Sequence, residues 1–150
     1  MEPLETGSQA PEWKLPAADG GERASSDLAG KRYVIYFYPR DNTPGCTKEA
    51  CDFRDSFGRV EVLGVPVFGV STDSVKRHET FQQKHELPFT LLSDEERRVI
   101  GAFGAGKGGA SAKRMTFIVG PDGRVEASWP KVKVKGHVDE VVAKLEELDG

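Results

Sequence analysis

Two continuous apolar runs on either side of a helical stretch constrain the fold of this chain more than any other feature. Residues 31–38 are rich in β-branched and aromatic side chains and predict a buried strand that Pro39 ends. Residues 66–71, PVFGVS, predict a second, central parallel strand. Between them, residues 43–63 carry an apolar stripe at helical spacing, made of Phe53, Phe57, Val60 and Leu63. Together they predict a parallel βαβ unit with a right-handed crossover.

Helix-start signals follow the second strand. Asp73 or Ser74 is a suitable N-cap for a helix that runs to about His85. Ser93 followed by Glu96 has the spacing of a capping box, which predicts that another helix starts there. We therefore expect two helices before the last third of the chain.

The last third of the chain predicts a hairpin and a final helix. Strands are expected at 116–119 and 125–129, joined by the turn sequence Pro121-Asp122-Gly123. The final helix has an apolar face made of Val138, Val141, Val142, Leu145 and Leu148. The whole order predicts a three-layer α/β domain of thioredoxin type over residues 1–150, with helices flanking a central mixed sheet that has an antiparallel edge.

Composition and charge narrow the class of protein. The 150 residues are 37% hydrophobic and 30% charged, which is typical of a globular domain. A net charge of -3 provides no general basic field for nucleic acid or an anionic membrane. The longest apolar runs are about six residues, whereas a membrane-spanning helix needs about 20. Residues 1–5, MEPLE, lack the features of a secretory signal, so we expect a cytoplasmic protein.

The chain has two cysteines, Cys46 and Cys51. In a reducing compartment, two nearby cysteines suit a metal site, redox chemistry or inert packing. Two sulfurs do not complete a tetrahedral zinc site, and His78, His85 and His137 share no ligand spacing with them. We therefore expect no bound metal.

Cys46 is predicted to lie in the first turn of a helix. Thr43 is a favourable N-cap, and Pro44 is favoured at the first helical position. Cys46 then falls where backbone N–H groups lack helical partners and where the helix dipole is positive. Both effects favour the thiolate form of the side chain, which is the nucleophilic form of cysteine. The alternative is a small buried apolar residue.

Cys51 follows five residues later. If one helix contains both cysteines, they lie about 7.5 Å apart along its axis and on different faces. Cysteines whose Cα atoms are more than about 7 Å apart cannot form a disulfide without backbone movement. A disulfide between Cys46 and Cys51 therefore requires the first helical turns to unwind. The spacing alone leaves open that Cys51 is simply a packed apolar residue.

The segment around Cys46 resembles the active site of peroxiredoxins, whose signature is Pro-x-x-x-Thr-x-x-Cys. Residues 36–55, YFYPRDNTPGCTKEACDFRD, are similar to the bacterioferritin comigratory protein, or PrxQ, subfamily. The similarity continues through VFGVSTDSVKRHETF, LPFTLLSDEE, RMTFIVGPDGRV and WPKVKVKGHVDEV. It therefore extends over nearly the whole chain and implies a thioredoxin-like fold.

The resemblance implies roles for individual residues. Cys46 is expected to attack the peroxide and become a sulfenic acid. Thr43 is expected to offer its hydroxyl to the sulfur and the peroxide, and Pro39 to shield the site. Arg114 matches the family arginine that stabilises the thiolate and the charge developing on the peroxide oxygens. Glu49 matches a subfamily acid that orients groups around Cys46.

The resemblance also implies a catalytic cycle. Cys51 is expected to be the resolving cysteine, which condenses with the sulfenic acid of Cys46 to an intramolecular disulfide. Thioredoxin or a similar dithiol then reduces this disulfide. The implied substrates are hydrogen peroxide and alkyl hydroperoxides, and no metal, flavin or haem cofactor is needed. The subfamily favours an antioxidant enzyme that acts as a monomer.

A thioredoxin-like thiol-disulfide oxidoreductase is the alternative. Such proteins carry Cys-x-x-Cys, whereas this chain has Thr43 in place of the first of those cysteines. They also place a proline just before the late strand, where this chain has Met115. Both departures favour the peroxidase.

Overall fold

The fold is built from short strands and helices that alternate through most of the chain. The computed structural model describes residues 3–106 and 111–149. Its strands are β1 (Lys14–Pro16), β2 (Glu22–Ala24), β3 (Tyr33–Phe37), β4 (Val67–Ser71), β5 (Thr90–Ser93), β6 (Met115–Val119) and β7 (Val125–Trp129). Its α-helices are α1 (Pro44–Asp55), α2 (Phe57–Val62), α3 (Val75–His85), α4 (Arg98–Ala102) and α5 (His137–Asp149). A 3-10 turn covers Ser25–Leu28.

Five strands form a mixed sheet in the order β5-β4-β3-β6-β7. The strands β3, β4 and β5 run parallel to one another, while β6 pairs antiparallel with β3 and β7 pairs antiparallel with β6. The predicted βαβ unit and late hairpin are confirmed. The strands β1 and β2 form a separate two-stranded hairpin in the N-terminal segment.

Alternate residues of β3 enter two different cores. Val34 and Tyr36 pack with buried side chains of α1, α2, α3 and α5 on one face of the sheet. Tyr33, Ile35 and Phe37 pack on the other face with side chains of α4 and the N-terminal segment. Because both faces of the strand are buried, it has the continuous apolar sequence that identified it. The predicted three-layer, thioredoxin-like arrangement is confirmed.

The predicted helix start at Ser93 is wrong, and the sequence prediction missed β5. Ser93 is the last residue of β5, and its hydroxyl donates to the backbone carbonyl of Asp73 at 2.6 Å. Helix α4 begins later, and the Asp94 carboxylate accepts a hydrogen bond from the backbone N–H of Ile100 at 2.7 Å. The apparent capping box does not form, because the serine hydroxyl is bonded to a backbone carbonyl just after β4 and does not cap a helix.

The helical stretch predicted as one helix over residues 43–63 is two helices. Helix α1 ends before Ser56, whose φ of -97° and ψ of 2° interrupt the regular geometry, and α2 follows. Phe53 and Val60 of the predicted stripe are buried, so the apolar face was assigned correctly. Both cysteines lie within α1, so one helix contains the two sulfurs, which is the case that the sequence analysis considered.

The remaining helices match their predicted places. Ser74 caps α3, its hydroxyl accepting a hydrogen bond from the backbone N–H of Arg77, and the helix ends at His85. Helix α5 buries the predicted valines and Leu145 against the sheet. No helix among residues 3–106 and 111–149 combines the length and apolarity that a membrane crossing requires.

Candidate active site

The side chain of Cys46 lies in the first turn of α1, just after the loop that leaves β3. Thr43 is the N-cap residue in an extended conformation, and Pro44 is the first helical residue, as predicted. The cysteine is 1% exposed. The sulfur is therefore held at a helix N-terminus, where the helix dipole favours negative charge, and is shielded from bulk water.

The guanidinium of Arg114 contacts the sulfur directly. Its Nη2 donates to Cys46 Sγ at 3.3 Å. Arg114 immediately precedes β6, whose first residue Met115 pairs with Phe37 at the end of β3. Because of this pairing between β3 and β6, the guanidinium lies at the start of α1. A Cβ atom on Gly45 would lie 3.0 Å from Arg114 Nη2, so the glycine leaves room for the guanidinium.

Glu49 is the second group that the guanidinium of Arg114 contacts. The carboxylate is fully buried and accepts a hydrogen bond from Arg114 Nη1 at 2.8 Å. Burial raises the pKa of Glu49 to about 7, although the Arg114 guanidinium opposes the shift. Burial alone would lower the pKa of Arg114, but Glu49 and the Cys46 sulfur together raise it. One rigid guanidinium thus links the sulfur to a buried acid.

Two polar residues that the sequence analysis did not select lie behind Glu49. His137, at the start of α5, has its Nε2 3.9 Å from Glu49 Oε2 and 2.7 Å from Thr116 Oγ1. Burial and the Arg114 guanidinium lower the pKa of His137 to about 4, so it is neutral at neutral pH. Glu49 Oε2 has no hydrogen-bond partner among the described residues. Thr116 was visible in the sequence as the polar residue of an apolar strand, whereas nothing in the polar segment around His137 marked that residue.

Replacing Glu49 with glutamine should remove a fall in stability that occurs as the pH rises. Because its folded pKa is raised from 4.5 to about 7, protonated Glu49 contributes stability that is fully present below pH 4.5 and is lost as the pH rises through 7. The loss amounts to about 3 kcal/mol. The measurement is the free energy of urea unfolding of both proteins between about pH 4.5 and pH 8.

The difference in unfolding free energy between wild type and Glu49→Gln separates the effect of Glu49 from that of His137. The folded pKa of His137 is depressed, so its contribution is lost in the opposite direction, as the pH falls from 6.5 through 4. Replacing the exposed Glu61 of α2 with glutamine provides a control for the removal of one carboxylate. A flat difference for Glu49→Gln would contradict the prediction.

Thr43 and Pro39 precede the cysteine in the chain, and the Thr43 side chain makes a contact other than the one expected. The Thr43 hydroxyl donates to the backbone carbonyl of Arg40 at 3.0 Å, and the side chain makes no capping hydrogen bond. Pro39 is half-buried in the bend that follows β3. In this state of the protein, Arg114 rather than Thr43 provides the side-chain hydrogen bond to the sulfur.

Cys51 is a second free thiol and is partly exposed. Its sulfur lies 3.9 Å from Nδ1 of His85, the last residue of α3. Cys46, by contrast, faces Arg114. Since both cysteines lie on one intact helix and contact different groups, they are not joined in this structure.

A buried polar cluster fastens the loop between β3 and α1. Asp41 Oδ2 lies 2.7 Å from His78 Nδ1, and the backbone N–H of Asp41 donates to Asp73 Oδ2 at 2.8 Å. His78 Nε2 donates to the carbonyl of Leu92 at 2.9 Å. Ligand atoms of the two aspartates and His78 lie within 4.8 Å of one another, a spacing that a metal ion could use. Their hydrogen bonds to each other and to the backbone give them a structural role instead.

Comparisons with known proteins agree with one another. Residues 6–128 match the AhpC/TSA family. The putative peroxiredoxin bcp of Coxiella burnetii is 48% identical over 149 residues, covering 95% of this chain and 99% of that protein. Peroxiredoxin Bcp of Bacillus subtilis is 43% identical over 152 residues, covering 97% of each.

A solved structure extends the likeness to three dimensions. The bacterioferritin comigratory protein of Xanthomonas campestris has been solved in trapped intermediate and ligand complexes that bear on its alkyl peroxide reduction activity. It is 36% identical, with a TM-score of 0.88 over 98% of each chain. The similarity therefore covers the fold and nearly the full length.

Proposed function

We propose that this chain, which belongs to the AhpC/TSA family as a peroxiredoxin of the Bcp type, reduces hydrogen peroxide and alkyl hydroperoxides through the thiolate of Cys46. The observation that carries the proposal is the guanidinium of Arg114, which is hydrogen-bonded at once to the Cys46 sulfur and to buried Glu49. The alkyl peroxide reduction studied in the Xanthomonas relative supports the organic substrates.

The first step is nucleophilic attack on the peroxide. The thiolate of Cys46 attacks the terminal oxygen, the O–O bond breaks, and the leaving oxygen takes a proton to become water or an alcohol. The sulfur loses two electrons and becomes a sulfenic acid. Arg114 stabilises the negative charge as it moves from the sulfur to the departing oxygen, and Glu49 holds the guanidinium in place. Thr43 exchanges its bond to the Arg40 carbonyl for one to the peroxide, while Pro39 limits access of water.

The second step joins Cys46 to Cys51. The Cys51 sulfur attacks the sulfenic sulfur, an S–S bond forms, and water leaves. The position of both cysteines on α1 supports the requirement that the first turns of this helix unwind during each cycle.

The third step regenerates the dithiol. Thioredoxin or a similar external dithiol reduces the intramolecular disulfide by thiol-disulfide exchange. We place this cycle in the cytoplasm, where thioredoxin keeps thiols reduced, and assign it to a monomer, because an intramolecular disulfide between Cys46 and Cys51 needs no second copy of the chain.

The experiment that tests the cycle treats the reduced protein with one equivalent of hydrogen peroxide. Mass spectrometry should show a monomer that has lost two hydrogens, and peptide mapping should place the disulfide between Cys46 and Cys51. Thioredoxin with its reductase should then support continuous peroxide consumption. A persistent sulfenic acid or a disulfide-linked dimer would overturn the resolving role of Cys51. Failure to consume peroxide, with reduction of disulfide substrates instead, would favour a thiol-disulfide oxidoreductase.

A further inference from the structure

We propose that His85 is the general base that removes the proton from Cys51 when this thiol attacks the sulfenic acid of Cys46. The inference rests on the proposed two-cysteine cycle and adds a residue to its second step. In this scheme, Cys51 stays beside its base on α3, and Cys46 moves towards them. Unwinding is confined to the first turns of α1, before Cys51.

The geometry places a ring nitrogen of His85 against the thiol. Nδ1 lies 3.9 Å from Cys51 Sγ, within the range of a hydrogen bond to sulfur. The imidazole packs edge-on against the fully buried ring of Phe81, with centroids 5.0 Å apart. Since α3 is packed against the sheet through Phe81, the base stays fixed when α1 changes.

Cys51 needs a base that Cys46 does not. Cys46 lies in the first turn of α1, beside Arg114. Cys51 lies beyond the first turn, where the favourable effect of the helix dipole has faded. An ordinary thiol is mostly protonated at neutral pH, and only the thiolate attacks a sulfenic acid efficiently.

The surroundings of His85 keep it available as a base. Burial, followed by the positive charges of Lys84 and Arg54, lowers its pKa from the usual value. Glu86 is the adjacent residue on the other side, and its backbone N–H caps α3. A neutral imidazole with its proton on Nε2 presents the Nδ1 lone pair to the Cys51 thiol.

Contacts after Cys51 hold the second half of α1 in place. Arg54 Nη1 donates to the backbone carbonyl of His85 at 2.9 Å, which ties this part of α1 to the end of α3. Phe53 is buried and stacks on Tyr36, with centroids 4.7 Å apart. Among the described residues, no hydrogen bond joins residues 46–50 to α3, so this is the part of α1 that releases Cys46.

The step balances without another reactant. The Cys51 proton passes to His85 Nδ1, the Cys51 sulfur attacks the sulfenic sulfur, and an S–S bond forms as the S–OH bond breaks. The departing hydroxide takes a proton, either the one held by His85 or one from solvent, and leaves as water. Cys51 is oxidised by one formal unit and Cys46 is reduced by one.

The test measures disulfide formation in His85→Gln by stopped-flow tryptophan fluorescence and quenched mass spectrometry. We expect the rate of sulfenic acid formation to stay within about twofold of wild type, which also shows that the variant is folded. At neutral pH, disulfide formation should slow by about a hundredfold. The control is Gln83→Ala, an exposed residue of the same helix, which should leave both rates unchanged.

The pH profile separates a base from a structural contact. In His85→Gln, the rate of disulfide formation should rise with pH and approach that of wild type in alkaline solution, because hydroxide can then replace the imidazole as the base. Added imidazole should accelerate the step in His85→Ala. Equal rates at neutral pH, or the same loss at every pH, would overturn the role of His85. If the wild type consumed peroxide but never formed the disulfide, the proposed resolving step would be wrong, and the role of His85 would fall with it.

Discussion

Replacing Cys46 with serine should abolish peroxide reduction, with a loss of at least about a thousandfold in the rate constant for hydrogen peroxide. A serine hydroxyl is not ionised at neutral pH, and oxygen cannot form the sulfenic acid on which the cycle depends. Arg114 and the helix N-terminus remain in this variant, but they have no nucleophile to stabilise. The measurement is stopped-flow oxidation of the reduced protein by hydrogen peroxide under pseudo-first-order conditions.

The matched variant is Cys51→Ser, which changes the other cysteine in the same way. It should form the sulfenic acid at the wild-type rate, since the Cys51 sulfur contacts His85 rather than Arg114. It should then fail to form an intramolecular disulfide. If Cys46→Ser reacted at the wild-type rate, the peroxide-reactive thiol would be Cys51 and the assignment of the two roles would be reversed.

Replacing Arg114 with methionine should lower the rate constant for peroxide by about 10²- to 10³-fold. The substitution keeps much of the side-chain length but removes the hydrogen bond to the Cys46 sulfur and the charge that faces the departing oxygen. Arg114→Lys should recover only part of the loss, because an ammonium group lacks the planar fork that contacts the sulfur and Glu49 together. The measurement is again the stopped-flow rate of sulfenic acid formation.

A control arginine distinguishes this effect from a general loss of positive charge. Arg59 forms an exposed ion pair with Glu146 on α5, at 2.7 Å, and Arg59→Met should leave the rate unchanged. Urea unfolding of Arg114→Met establishes how much stability is lost when buried Glu49 loses its partner. An Arg114→Met variant that is folded and reacts within about threefold of wild type would contradict the electrostatic role.

Much of the fold followed from local patterns. The continuous apolar runs identified β3 and β4 because each strand is buried on both faces, and Ser74 identified the start of α3 because its hydroxyl caps that helix. The short edge strand β5 was missed. Its serine resembles a helix cap in sequence, but the carbonyl of Asp73 that captures its hydroxyl comes from another part of the chain.

The break between α1 and α2 was also invisible in the pattern. The apolar stripe continues through both helices, since Phe53 and Val60 enter the same core. Ser56 leaves helical geometry without a proline or glycine at that position to signal it. A pattern of buried positions records which face a segment presents to the core, and it does not record whether its backbone is continuous.

Sequence signals alone place Cys46 in the first turn of a helix. The signals are the N-cap position of Thr43 and the proline at the first helical position, which act within a few residues of the sulfur. The resemblance to peroxiredoxins added Arg114 and Glu49 as residues of one site. Neither the helix-start signals nor the resemblance specifies the contacts that Cys46, Arg114 and Glu49 make with one another.

The surroundings of the two sulfurs depend on contacts between distant parts of the chain. Arg114 is 68 residues from Cys46 in the chain and reaches it because β6 pairs with β3 in one particular register. His137 approaches Glu49, and His85 approaches Cys51, because α5 and α3 pack on the same face of the sheet as α1. Helix capping is a local interaction that neighbouring residues specify, whereas these contacts depend on strand register and helix packing between distant parts of the chain.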